Sequence, residues 1–201
     1  MKYNPQIHHR KSIRLKGYDY SQAGAYFITI CCHNKECRFG IIVNYESQAD
    51  AQIELNEYGT IAYNEWMKLP ERLPNFDLDV FQIMPNHIHG IISLTDPITN
   101  ATTVEARFTR APFTPDQNYV GDIDDWARVN RAPTMNAAIG NIVGAYKSLV
   151  ANACLEIHKS KNEIMGKFWQ RNYYEHIIRN QHSYQTISDY IINNPAKWNA
   201  D

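Results

Sequence analysis

Two histidines separated by one residue, His87 and His89, are the positions in this chain best suited to chemistry. Side chains alternate along a β-strand, so residues two apart share a face. Two imidazoles on one face can hold a divalent cation and leave other coordination positions open, as metal-assisted attack on a phosphodiester requires. A pair of structural histidines at a strand end is the competing reading of so short a pattern. Near the other end of the chain, Tyr190 and Asn194 stand four apart on a predicted helix and share one helical face. Ile187 and Ile191 mark its buried stripe, and a tyrosine beside that stripe can equally be a half-buried packing residue.

The elements that must position these side chains are legible from the pattern of residue types. Ala25–Cys32 is rich in β-branched and aromatic residues and predicts a strand. Phe39–Val43 and Gln52–Leu55 predict short strands around a polar turn. Asn56 can cap a helix running to about Leu69, with Tyr58, Ile61, Ala62, Trp66 and Leu69 at helical spacing and Pro70 and Pro74 ending it. Strand Phe76–Met84, a turn at Pro85 and Asn86, and strand His87–Leu94 follow. A helix is predicted from about Met135, with Thr134 as cap, to His158. Then come an extended segment, Phe168–Ile178, and a last helix, Gln181–Asn194, stopped by Pro195. Strands come in adjacent pairs and outnumber helices. The predicted class is α+β, a ferredoxin-like antiparallel sheet with helices packed on one face.

Length and composition fit one soluble domain spanning residues 1–201, with 44% hydrophobic and 20% charged residues. Residues 1–24 read as a basic arm. Residues 95–134 read as a loop insertion, within which Ala106–Pro112 echoes Ala127–Pro133 as a local duplication. No apolar run is long enough for a membrane span, and the N-terminus lacks the apolar core of a signal peptide, which points to the cytoplasm. Cys31, Cys32, Cys37 and Cys154 lack zinc-site spacing and read as reduced thiols. A net charge of −1 argues against a general nucleic-acid coat but permits a local basic face.

Three blocks in order, Met84–Gly90, Phe168–Asn180 and Tyr190–Pro195, make the chain resemble the single-tyrosine HUH transposases, specifically the REP-associated tyrosine transposases. The resemblance spans nearly everything except 95–134. It implies a ferredoxin-like enzyme that cuts and rejoins single-stranded DNA, with substrates in which a palindromic repeat folds into a hairpin. It implies Tyr190 as nucleophile, and His87, His89 and Asn194 as ligands of Mg²⁺ or Mn²⁺. More distant members of the family carry Gln at the third ligand position, and Asn shortens that reach.

The chemistry is self-consistent. A phenol is a weak nucleophile at neutral pH, so a cation must polarise the phosphate, and a phosphotyrosine ester stores the bond energy for rejoining. Within the matched block, Glu175 and His176 could orient a ligand or assist proton transfer, and a packing role for Glu175 is an equal alternative. Arg10, Lys11, Arg14 and Lys16 are candidates for phosphate contact. Trp169, Arg171 and Tyr173 could clamp unpaired bases, with a core tryptophan the alternative at 169. Two other readings stay open: a nuclease of the same fold that uses water, and a non-catalytic nucleic-acid-binding module. Either a monomer or a homodimer is compatible with the sequence.

Overall fold

Strict alternation in β1 (Gly24–Cys31) builds the centre of the molecule. Tyr26, Ile28 and Ile30 are fully buried on one side, while Phe27, Thr29 and Cys31 point to the other. A computed structural model describes residue 15 and residues 17–44, 51–95 and 138–198. Arg10, Lys11, Arg14 and Lys16 lie outside the described residues, as does 96–134 of the predicted insertion.

The remaining elements are β2 (Gly40–Val43), β3 (Gln52–Leu55), α1 (Glu57–Met67), α2 (Leu69–Arg72), β4 (Phe76–Met84), β5 (His87–Leu94), α3 (Ile139–Ser160), β6 (Tyr174–Ile178) and α4 (Gln181–Ile192). Short 3₁₀ turns span His33–Lys35 and Pro195–Lys197. The main sheet has the order β4-β5-β1-β6 with every pair antiparallel, and β2 and β3 form a separate hairpin. This is a mixed α+β fold with antiparallel sheets and helices against them, consistent with a ferredoxin-like arrangement.

The first face of the sheet is the main core. α1 and α3 pack on it and on each other, with the Tyr146 hydroxyl donating to the Ala62 carbonyl at 2.9 Å. Trp66 of α1 lies so close to β5 that a Cβ on Gly90 would sit 2.6 Å from its ring, so no larger residue fits at 90 without displacing the indole. Burying each isoleucine of this face contributes roughly 1.5–3 kcal/mol of hydrophobic free energy.

Several expectations need correction. The helices do not share one face. Ile28 pairs with Gly90 and Thr29 with His89, so Gly90 and His89 point to opposite sides. Trp66 of α1 meets Gly90, whereas Tyr190 of α4 packs against His89 and Phe27. α4 therefore covers the face opposite α1 and α3, and the histidine pair lies between α4 and the sheet. Pro70 does not end a helical region but opens α2, because its fixed φ and missing N–H suit a first helical turn. α3 begins at Ile139, since Ala138 before it is extended and a helix from Met135 cannot run through that residue.

The other ends follow local chemistry. The Asn56 side chain accepts from Gly59 N–H at 3.0 Å and caps α1. Asn180 does the same for α4 through Ser183 N–H at 2.8 Å. α4 stops at Ile192, two residues short of the predicted end, and Pro195 starts the 3₁₀ turn beyond it. Of the predicted extended segment 168–178, only Tyr174–Ile178 is strand, with Trp169 held by an isolated bridge to Cys32.

Candidate active site

The turn that launches β5 is tied down on both sides. Asn86 O accepts from Cys32 N–H at 2.9 Å, and Pro85 O accepts from the N–H groups of Arg38 and Phe39 at 2.8 and 3.0 Å. Residues His87 and His89 then project from the α4 face of the sheet, opposite Cys31 and Thr29 of β1. Their Nε2 atoms lie 3.0 Å apart. His87 Nδ1 is 2.6 Å from Asn86 Oδ1, an acceptor, so Nδ1 carries the hydrogen and Nε2 presents a lone pair. His89 Nδ1 is 2.9 Å from Thr29 Oγ1. A hydroxyl can donate or accept, so Thr29 supports either tautomer of His89, including the one with Nε2 bare.

α4 brings the tyrosine. Its anchor is Tyr184, whose hydroxyl donates to Asp79 Oδ2 of β4 at 2.5 Å. Six residues later Tyr190 lies edge-on to Phe27, ring centroids 6.1 Å apart, and its hydroxyl reaches 3.3 Å from His89 Nε2. Tyr190 remains 42% exposed, whereas His89 is 5% exposed. The hydroxyl thus sits where solvent meets the buried imidazoles. Asn194, expected on the same helical face, lies past the end of α4, is buried at 8% exposure and starts the closing 3₁₀ turn. Beyond that turn Trp198 sets its ring 6.2 Å from that of His87.

Electrostatics keep both imidazoles neutral. Burial first, and the nearby charge of Lys35 second, push His87 down to about 4. Burial and then His87 push His89 down to about 3. Cys31 shares this face, but burial raises its thiol, which therefore stays protonated.

The same shifts predict how stability depends on pH. Unfolded histidine takes up a proton near pH 6.5, and the folded pair does not until about pH 4 and 3. Stability is full above about 6.5 and falls as the pH drops from there through the folded values, because only the unfolded state gains protons. Urea unfolding in chelator at about pH 7 and pH 5 should show the wild type losing more stability than a His87→Gln/His89→Gln variant, by on the order of a few kcal/mol. Equal losses would show that the imidazoles titrate normally.

A cation with bonds of about 2.1 Å to two ligands at right angles sets those ligands about 3.0 Å apart. The Nε2 pair has that separation, and its two nitrogens are neutral, so the donor set suits a divalent cation. Among the described residues no group of three or more His, Cys, Asp or Glu is placed to hold a metal. Of the residues expected to complete such a site, the Asn194 amide is the candidate from sequence.

The other predicted site residues are dispersed. Glu175 pairs with Ile28, so it faces the α1/α3 side, away from the histidines, and the expectation that it supports them does not hold. His176 pairs with Phe27 and shares the histidine face. Trp169 is committed to the core: its indole N–H donates to Lys147 O at 2.9 Å and its ring packs on Phe39, Tyr146 and Phe168. It is not offered to a base. Arg171 is exposed and lines a groove described below. Thr29, Asn86, Lys35 and Trp198 surround the histidines without having been singled out from sequence. Strand pairing of Ala25–Cys32 with His87–Leu94 would have found Thr29, whereas Lys35 and Trp198 carry no local signal.

No protein-family model matches the chain. A curated protein of Haemophilus influenzae, itself uncharacterized, is 40% identical over 200 residues, which cover all of this chain and 96% of that protein. A solved structure of a REP-associated tyrosine transposase bound to a REP hairpin superposes with a TM-score of 0.51 at 18% identity, over 92% of this chain and 73% of that one. This likeness is one of fold. A putative transposase from Deinococcus radiodurans matches with a TM-score of 0.36 at 14% identity, over 90% of this chain and 95% of that one.

Proposed function

This chain belongs to one family with the Haemophilus influenzae protein, and we propose that it is a DNA strand transferase that works through Tyr190. The observation that carries this reading is the Tyr190 hydroxyl 3.3 Å from His89 Nε2, at the solvent edge of a neutral imidazole pair. A buried packing tyrosine has no need of that position. The similar fold binds a REP hairpin, which supports hairpin-forming or single-stranded DNA as the substrate.

In the proposed reaction Tyr190 Oη attacks a phosphorus of the strand. The Oη–P bond forms as the bond to the 3′ oxygen breaks. The phenol proton leaves to solvent, and the departing 3′ oxygen takes one up. Attack by a 3′-hydroxyl on the phosphotyrosine reverses these changes and frees Tyr190, so one ester replaces another. His87 and His89, with Asn194, would hold a divalent cation, Mg²⁺ or Mn²⁺. When bound, that ion would polarise the phosphate and offset the charge that develops on it. Asn86 and Thr29 hold the two rings by their Nδ1 atoms, with the Nε2 atoms 3.0 Å apart. Phe27 backs both the Tyr190 and His89 rings and fixes their approach.

The test is covalent capture. Incubating the protein with Mn²⁺ and a hairpin oligonucleotide carrying unpaired tails should yield a protein–DNA adduct, with the phosphate on Tyr190 by mass spectrometry. Three rivals are placed differently. Tyr184 is bonded to Asp79, Tyr174 sits two strands from His89, and Tyr173 packs against the core. An adduct on any of these would overturn the assignment of Tyr190. Cleavage without any adduct would favour a water-using nuclease.

A further inference from the structure

Beside the histidine pair, beyond the end of β1, lies a groove of about 410 Å³ lined by His33, Asn34, Gln170, Arg171, Asn172 and Tyr174. None of these side chains is acidic. Its position relative to the site follows from the register. Tyr174 pairs with Thr29, which pairs with His89, so Tyr174 lies two strands away, about 10 Å, on the same face. We propose that this groove holds an unpaired nucleotide flanking the phosphate that Tyr190 attacks, with its base on the Tyr174 ring and its phosphate on Arg171. The inference rests on the proposed function and adds the place where single-stranded DNA is gripped.

Three observations carry it. First, the groove is built on a fixed frame. Gln170 N–H donates to Cys31 O and His33 N–H donates to Phe168 O, each at 2.9 Å. Lys147 reaches from α3 to donate to the Gln170 and Arg171 carbonyls at 2.6 and 3.3 Å, and its own carbonyl receives the Trp169 indole. Trp169, in the core role the sequence left open for it, thus helps to hold the segment that carries Gln170 and Arg171. Second, the groups left facing outward suit a nucleotide. Arg171 makes no ion pair among the described residues, and Tyr174 is 54% exposed. An aromatic face with amide and guanidinium donors is what an unpaired base and its phosphate require. Third, Asn34 and Lys35 have φ of +53° and +56°, a backbone region uncommon for lysine, at the rim between groove and histidines.

The experiment compares two fluorescent probes in chelator, where no strand is cut: a blunt-ended DNA hairpin, and the same hairpin with five-nucleotide unpaired tails on both ends. Wild-type protein should bind the tailed probe more tightly. Tyr174→Ala should remove roughly tenfold of that tail-dependent affinity, and Tyr174→Phe should restore it, because stacking needs the ring and not the hydroxyl. Arg171→Ala should weaken tailed binding and lower its salt slope by about one ion. Blunt-hairpin binding should be unchanged in all three. Both positions are exposed, so the fold should tolerate the changes, which melting curves check. Undiminished tailed binding in Tyr174→Ala and Arg171→Ala overturns the groove. Equal losses on both probes also overturn it, since the residues would then touch duplex. Failure to bind either probe overturns the groove together with the proposed function, whereas the first two outcomes leave the latter standing.

Discussion

Replacing Tyr190 by Phe should abolish strand cleavage and adduct formation while leaving DNA binding and folding intact. The expected loss is on the order of 10³-fold or more, because the nucleophilic oxygen itself is removed. Stability should move by no more than about 1 kcal/mol. The ring stays against Phe27, the hydroxyl is at the solvent edge, and His89 keeps its partners His87 and Thr29. A hairpin cleavage assay on denaturing gels, beside thermal melting and a binding measurement, checks all three. Substantial cleavage by Tyr190→Phe would move the chemistry elsewhere. A collapse in melting temperature would instead make Tyr190 a structural residue.

The second large effect concerns the imidazole pair. His89→Gln should lose cleavage by on the order of 10²–10³-fold, and excess chelator should do the same to the wild type. His87→Gln should behave alike, because its Nε2 lies 3.0 Å from that of His89. Gln retains a polar group and most of the volume, so the test does not depend on the cavity that Ala would leave at a residue only 5% exposed. Calorimetric titration with Mn²⁺ should give heat of binding for the wild type and little for either variant. DNA binding measured without the cation should be unaffected. Cleavage that survives excess chelator would remove the ion from the mechanism, and Mn²⁺ binding retained by both variants would place it elsewhere.

Much of this arrangement could be read before any fold was known, and the readable part has a common cause. β4 and β5 begin and end at the predicted residues, because alternation and the Pro85–Asn86 turn are local signals. Asn56 caps α1 as its residue type suggests. That His87 and His89 share a face is a property of any strand. The helical turn expected from Tyr190 to Asn194 is cut short, because α4 ends at Ile192 and Asn194 opens the 3₁₀ turn that follows.

What the local pattern missed or left open was decided by packing between distant parts of the chain. The apolar stripe of α4, with Ile187 and Ile191, states that the helix lies on something but not on which side of a sheet. The side follows from where β6 joins the edge and how the chain turns at Asn180, and it proved to be the side opposite α1 and α3. Trp169 and Glu175 occupy one continuous motif, yet the first closes the core and the second faces away from the histidines. Among four nearby tyrosines, residue type cannot choose. Tyr184 is spent on Asp79 across 105 residues, and Tyr190 reaches His89 across 101. The sequence by itself determined the strands, the caps and the shared face of the two histidines, since these depend on neighbours a few positions away. Only the tertiary structure brought Tyr190 to that face, because the contact joins two elements whose meeting depends on sheet order and on the sheet face that α4 covers.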